Sequence, residues 1–458
     1  MNRASTDRQG NVAKFTVGSI RRHVLHLSSV MIVGFLAMTI GQLIEMFYIG
    51  MVGSFEIAAI TFTFPIAMSL NALSRGIGVG ASTLIAQSMG DGNRVKTATT
   101  ITHCYVLVLL FTILIALFGQ IGAEHVFSLL GAKEEVLDLA SNYAHIWLIG
   151  FPMMGTAMVS TGLIRSFGNA TFPGYIMSIA PVVQVMVGPF LIFGLFGFPE
   201  LGLMGAGWAF VAGTIAQLFL VIYWYFFKEK LFINSFDTFL QSSRQILYVG
   251  IPAAATNLIQ PLSMAVVTWL LAGFGTTVVA GFGVASRIES VVAMVVIGIS
   301  TSVVPLVGQN WGARKFERTY QVLTTCYIGC LMWGLIAASI MWVAGDYFVN
   351  SINDDASLVD TAVSYLHIVP LSIGFMGLFV VSTHSFNAIR KPMPALILSL
   401  ARLLIIYIPM ALIASHFYGY VGIFVATALT NVLVGIVAVL WNHRVLKQEQ
   451  GKLERALH

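Results

Sequence analysis

The sequence predicts an all-α polytopic membrane protein, with twelve transmembrane helices in two six-helix lobes related by an internal pseudo-twofold repeat. Three observations lead there: a dominance of apolar residues, connections that alternate in charge, and a motif that occurs twice. Hydrophobic residues make up 57% of the 458-residue chain and charged residues 9%, against roughly a quarter charged in soluble domains. The motif Gln87-Ser-Met-Gly90-Asp-Gly-Asn-Arg-Val-Lys96-Thr97 is answered 222 residues later by Gln309-Asn-Trp-Gly312-Ala-Arg-Lys-Phe-Glu-Arg318-Thr319. Gln, Gly, a basic residue and Thr keep the same offset, and each copy lies between two long apolar segments.

Runs long enough to cross a bilayer, about 20 residues each, fall at 23–50, 57–87, 98–122, 137–163, 174–197, 204–227, 246–273, 279–308, 319–344, 361–387, 394–416 and 420–442. Basic residues gather in the N-terminal tail (Arg3, Arg8, Lys14, Arg21, Arg22), after the even-numbered spans and in the C-terminal tail (Arg444, Lys447, Lys452, Arg455). The opposite connections are acidic, with Glu124, Glu134, Glu135 and Asp138, then Asp346, Asp354, Asp355 and Asp360; Lys133 is the exception. The positive-inside rule therefore expects both termini in the cytoplasm. An even number of spans per half gives the two halves one orientation, related by an axis along the membrane normal.

The expected organisation is a tail (1–22), an N-lobe (23–227), a polar linker (228–245), a C-lobe (246–442) and a second tail (443–458). A further echo supports the duplication: Ser166-Phe167 with Pro173 matches Ser385-Phe386 with Pro392. The N-terminus has no small-residue cleavage site, so no removable signal is expected. Cys104, Cys326 and Cys330 lie in apolar segments and suggest neither a disulfide framework nor a metal cluster. No Walker, His-Glu-x-x-His or paired intramembrane aspartate pattern is present, so no catalytic residue, cofactor or metal is expected. The net charge of +5 follows the membrane topology, which argues against nucleic acid. Duplicated apolar halves point to a secondary transporter.

The chain resembles the multidrug and toxic compound extrusion (MATE) family. The residues responsible are Glu45-Met-Phe-Tyr-Ile-Gly50-Met-Val-Gly53 with Ala58-Ala59, the turn Gln87–Thr97, and Arg165-Ser-Phe-Gly168-Asn169 before Pro173. In the second half they are Ala285-Ser-Arg287-Ile-Glu289 and Gly308-Gln-Asn310-Trp-Gly312-Ala313, the last being the most specific. The resemblance implies a two-lobed antiporter that exports small organic cations or amphipathic drugs against inward protons or sodium. A major facilitator is disfavoured because the loops lack Gly-x-x-x-Asp-Arg-x-Gly-Arg. A lipid or oligosaccharide-carrier flippase of related fold is an alternative, with only Arg75, Arg287 and Arg402 to supply the cationic lining such carriers use.

Glu45 is the expected ion-coupling residue. A charged group at that depth is costly unless it faces a cavity or a partner. Its counterpart in the repeat is Val267, so shared helix packing does not require the acid; the alternative is an interfacial anchor. The resemblance places Asp here in most members, and Glu45 is one methylene longer. Where many members carry Asn and then Asp in the fifth span, this chain has Gln184 and Gly188, so the usual two-acid relay is not available, and Gln184 is expected either to hydrogen-bond Glu45 or to pair with another helix. Gln42, Gln184, Asn257, Gln260 and His384 are candidates to line the substrate cavity, with plain interhelical hydrogen bonding the competing reading. Arg287, Glu289 and Arg402 are candidate structural or gating charges, Arg287 being expected to pair with another helix. His145 and His367 match across the repeat and read as architecture. The shortage of acids in the second lobe favours protons over sodium as the coupling ion. A monomer in the inner (plasma) membrane is expected, with the lipid bilayer its other partner.

Overall fold

A hydrocarbon solvent offers no partner to a backbone N–H or C=O, so a chain this apolar must satisfy those groups within each crossing segment, and helices do so. The structure, a computed structural model, describes residues 13–231, 233, 236–351 and 355–455. Arg3, Arg8 and Asp354 lie outside them. Among the described residues there is no strand. The helices long and apolar enough to cross a membrane are α1 (Ile20–Val52), α2 (Ser54–Gly90), α3 (Arg94–Leu129), α4 (Glu134–Phe167), α5 (Phe172–Ile192), α6 (Leu203–Lys228), α7 (Phe239–Ala272), α8 (Thr276–Gly312), α9 (Phe316–Asn350) and α10 (Ala356–Ala388). A last helical stretch, Pro392–Arg455, has 64 residues, far more than one crossing needs.

Gly419 divides that stretch. Its φ of 60° and ψ of −147° are not helical, and the chain doubles back there. A Cβ on Gly422 would stand 2.1 Å from the carbonyl oxygen of Ala414, an approach only glycine permits. The two arms, α11 (392–418) and α12 (420–455), complete the twelve crossings that the apolar runs predict. Most helices run past the hydrocarbon thickness. α7, for example, starts at Phe239, ahead of the apolar run that begins near residue 246.

The chain forms two compact units. The N-terminal unit comprises Val30–Met89 and Asn93–Ala254; the C-terminal unit takes the residues up to Ser29, Gly90–Gly92, and everything from Ala255 onward. Both α1 and α7 therefore begin in one unit and continue in the other. Within the N-terminal unit the first turns of α7 lie on α2. A Cβ on Gly80 would stand 2.1 Å from the oxygen of Ile246, and one on Gly76 2.5 Å from that of Gly250. In lipid, where apolar surface gains nothing by association, such close backbone approach is the main source of packing energy.

The duplication extends to contacts. Phe167 meets Trp224 edge-on with centroids 5.5 Å apart, and Phe386 meets Trp441 at 6.2 Å, so the paired Ser-Phe signals mark one packing site in each half. His145 on α4 reaches back to Gln120 of α3, its Nδ1 2.7 Å from the amide oxygen. His367 on α10 likewise reaches back to α9, stacking on Trp342 at 4.8 Å and lying 3.5 Å from Asp346.

The repeated motif builds the same turn twice. The Asn93 amide donates to the oxygen of Ser88 at 2.9 Å, and the Lys315 amide to that of Asn310 at 2.8 Å. The Thr97 and Thr319 amides each donate four residues back at 3.0 Å. Each turn needs one left-handed residue: Gly92 at φ 74° in the first copy, Arg314 at φ 56° in the second. No atom lies within 4 Å of a Cβ on Gly92, so only the backbone opposes a side chain there. Gly92→Ala is expected to cost about 1 kcal/mol, read as a lower melting temperature in detergent. Arg314→Gly should be neutral or gain no more than about 1 kcal/mol, because relief of strain is partly offset by a freer unfolded chain.

Candidate functional site

α1 and α5 run side by side in the N-terminal unit and touch through a ladder of small residues. Val30 lies against Gly174 and Gly34 against Met177. At Gly41 a Cβ would stand 2.4 Å from the Cβ of Pro181, and further along the ring of Tyr48 lies 3.6 Å from where Gly188 would carry one. Between these rungs sits the polar one: Glu45 hydrogen-bonds the side chain of Gln184. The surroundings are apolar and aromatic, with Tyr48, Ile49, Tyr143, Trp147 and Ile192 in one cluster. The buried Tyr143 of α4 lies within electrostatic reach of Glu45. Among the described residues Glu45 has no ion-pair partner.

This arrangement suits a carboxyl that changes protonation state. A glutamine amide both donates and accepts. Its N–H₂ can donate to the carboxylate, and its carbonyl oxygen can accept from the protonated acid. Glu45 thus keeps one partner in either state, and no fixed cation holds it ionised. Gly188, where the resemblance suggests a second acid, instead gives Tyr48 room to lie across α5.

The C-terminal unit treats its carboxylate differently. Glu289 of α8 accepts a hydrogen bond from the hydroxyl of Tyr365 on α10 and is attracted through space by Arg402 of α11. Arg402 donates to the side-chain oxygen of Asn431 at 2.9 Å and lies 5.1 Å above the centroid of Phe379. The Asn431 amide in turn donates to the Ser372 hydroxyl at 2.9 Å. Arg402 stands on a segment, Ala401–Tyr407, whose turns are widened to the π form, an irregularity common at functional sites. Glu289 and Arg402 act on each other through space, and each has its own hydrogen-bonding partner.

The remaining candidates scatter. His384 donates from Nδ1 to the oxygen of Ser300 at 2.7 Å, tying α10 to α8. Asn257 is half-buried and Gln260 exposed on α7, in the part belonging to the C-terminal unit; Gln42 is exposed on α1. Arg287, expected to pair with another helix, is exposed and has no ion pair among the described residues. Glu289, two residues on, makes the interhelical contacts instead, because its position turns it toward α10 and α11. Glu45 and Gln184 belong to one unit, while Asn257, Gln260, Arg287, Glu289, His384 and Arg402 belong to the other.

Sequence reasoning missed both tyrosines. The available signal was the pattern Tyr143-Ala-His145 and Tyr365-Leu-His367, which keeps the 222-residue offset. Each repeat sets this tyrosine near a glutamate, although the two glutamates come from non-equivalent helices.

Removing Glu289 alone strands a cation. Glu289→Gln is expected to lower stability in detergent by about 2 kcal/mol, less than the 3–5 typical of a fully buried pair because Asn431 and Phe379 still hold the guanidinium. Adding Arg402→Met should recover part of that loss, giving a non-additive cycle in thermal melts.

A family model, MatE, matches residues 31–190 and 252–413, one block in each half. An FAD transporter of Shewanella oneidensis is 29% identical over 433 residues, 93% of this chain and 95% of the relative. The multidrug export protein MepA of Staphylococcus saprophyticus is 24% identical over 93% of this chain and 94% of its own length. The probable multidrug resistance protein YoeA of Bacillus subtilis is 30% identical over 62% of this chain and 63% of its own. Among solved structures, the Vibrio cholerae MATE transporter VcmN in its bent form superposes with a TM-score of 0.89 at 25% identity, covering 94% of this chain and 98% of that one. An outward-facing multidrug resistance MATE transporter shares the fold at a TM-score of 0.90 and 22% identity, covering 97% of this chain and 100% of its own. Model, relatives and architecture agree: this chain belongs to the MATE family of multi-pass membrane transporters and is not an enzyme.

Proposed function

We propose that the chain exports small organic compounds in exchange for inward protons, and that Glu45 carries the proton. The observation behind this reading is the pairing of Glu45 with a single neutral amide in an apolar setting. In the proposed cycle an amphipathic cation binds from the cytoplasm while Glu45 is ionised. The solute leaves outside as Glu45 takes a proton, and the protonated state favours return. Coupling needs only that solute and proton prefer different states of the protein. Sodium, the alternative ion, calls for several oxygen ligands, and Glu45 with Gln184 offers few. The basic connections support a cytoplasmic position for both termini in a plasma (inner) membrane, and the proposed working unit is one chain.

The names of relatives frame the cargo. MepA and YoeA are named for multidrug export or resistance, which supports drugs as cargo. The relative that is 29% identical over nearly the whole chain is named an FAD transporter, which supports a second reading, a flavin nucleotide. Energised inverted vesicles separate these readings when ethidium and FAD are offered in turn, with and without sodium. Uptake of ethidium without sodium, abolished in a folded Glu45→Gln variant and partly kept in Glu45→Asp, is the expected result. Normal transport by Glu45→Gln, or a strict need for sodium, overturns the coupling assignment. Transport of FAD but not ethidium replaces the cargo.

A further inference from the structure

The segment ahead of α1 is docked in a way that membrane insertion does not require. Phe15 is 4% exposed and Thr16 5%. The Phe15 amide donates to the side-chain oxygen of Gln309 at 3.1 Å, and the Asn310 amide group donates back to the Phe15 carbonyl at 3.1 Å. Lys315 Nζ donates to the oxygen of Thr16 at 2.9 Å. Arg318 reaches the oxygens of Val17 at 3.1 Å and Gly18 at 2.8 Å. His23 closes the far side, its ring 5.4 Å edge-on from Phe15 and its Nε2 2.8 Å from the Val17 oxygen. The most family-specific motif of the chain is thus a peptide receptor, and its occupant is the chain itself.

We infer that Gln309, Asn310, Lys315 and Arg318 are positioning residues for transport: they clamp Phe15–Gly18 so that α1 starts from a fixed point in the C-terminal unit. α1 belongs to that unit up to Ser29 and to the N-terminal unit from Val30 onward, where it carries Glu45. A helix held at one end in one unit and packed along its length in the other transmits any relative movement of the two. The clamp is made mostly to backbone carbonyls around a buried phenylalanine, so it resists coming apart during a cycle. In the other half the segment ahead of α7 is also held, though by non-equivalent residues. Arg94 of α3 donates to the oxygen of Glu229 at 3.5 Å, Leu231 is 1% exposed, and Phe236 and Phe239 pack on His103 at 6.1 and 5.4 Å. The helix that follows, α7, begins in the N-terminal unit and passes into the C-terminal one after Ala254. The clamp's role rests on the chain being a transporter of this family and not on Glu45 being the proton carrier.

The test uses the full chain in proteoliposomes, with whichever of ethidium or FAD the unaltered protein exports and under the ion gradient it uses. The native cysteines are all buried, so an introduced one reports alone. Thr16→Cys should resist a membrane-impermeant maleimide while Val17→Cys, at a position 48% exposed, is labelled. Adding Arg318→Ala should unmask Thr16→Cys. Three glycines are then inserted between Gly18 and Ser19, which leaves the receptor side chains intact and slackens the link. Export by this folded variant should fall at least about fivefold, with substrate affinity unchanged. Rapid labelling of Thr16→Cys in the otherwise unaltered chain overturns the docking. Export at the normal rate by the slackened variant overturns the role, leaving a static anchor.

Discussion

Everything distinctive in this protein follows from the cost of placing polar groups in hydrocarbon. For the backbone the cost forces helices, and for side chains it forces a partner for each charge. The two carboxylates in the membrane core meet that constraint in opposite ways. Glu289 is held by a tyrosine hydroxyl and lies within electrostatic reach of Arg402. Glu45 has an amide that serves either state and no balancing cation among the described residues.

The small residues matter because lipid removes the usual hydrophobic reward for association. Packing then depends on how closely backbones approach, and the α1–α5 ladder shows the consequence for function. Gly34, Gly41 and Gly174 bring the helices so near that the next rung sets the Glu45 and Gln184 side chains against each other. The same logic places α7 on α2 through Gly76 and Gly80.

The duplicated halves share architecture but not chemistry. The turns, the Phe–Trp contacts and the backward-reaching histidines recur. Glu45 and Val267, by contrast, occupy equivalent positions. The second copy also carries Arg314 where the first has Gly92, in the same left-handed conformation. The two halves thus share contacts while differing at individual residues.

The sequence by itself determined the crossings, the duplication and the prominence of Glu45, because hydropathy, charge alternation and a lone acid in an apolar run are properties of residues in order. It even separated the runs 394–416 and 420–442, between which the structure breaks a single helical stretch at Gly419. Tertiary structure alone decided partners. That Gln184 rather than a basic residue meets Glu45, that Glu289 rather than Arg287 reaches across helices, and that Tyr143 and Tyr365 stand beside the acids depend on helix rotation and register. The clamp on Phe15–Gly18 was least legible of all. Its receptor grips backbone carbonyls, which every residue carries, so nothing in the identity of the gripped segment announces it.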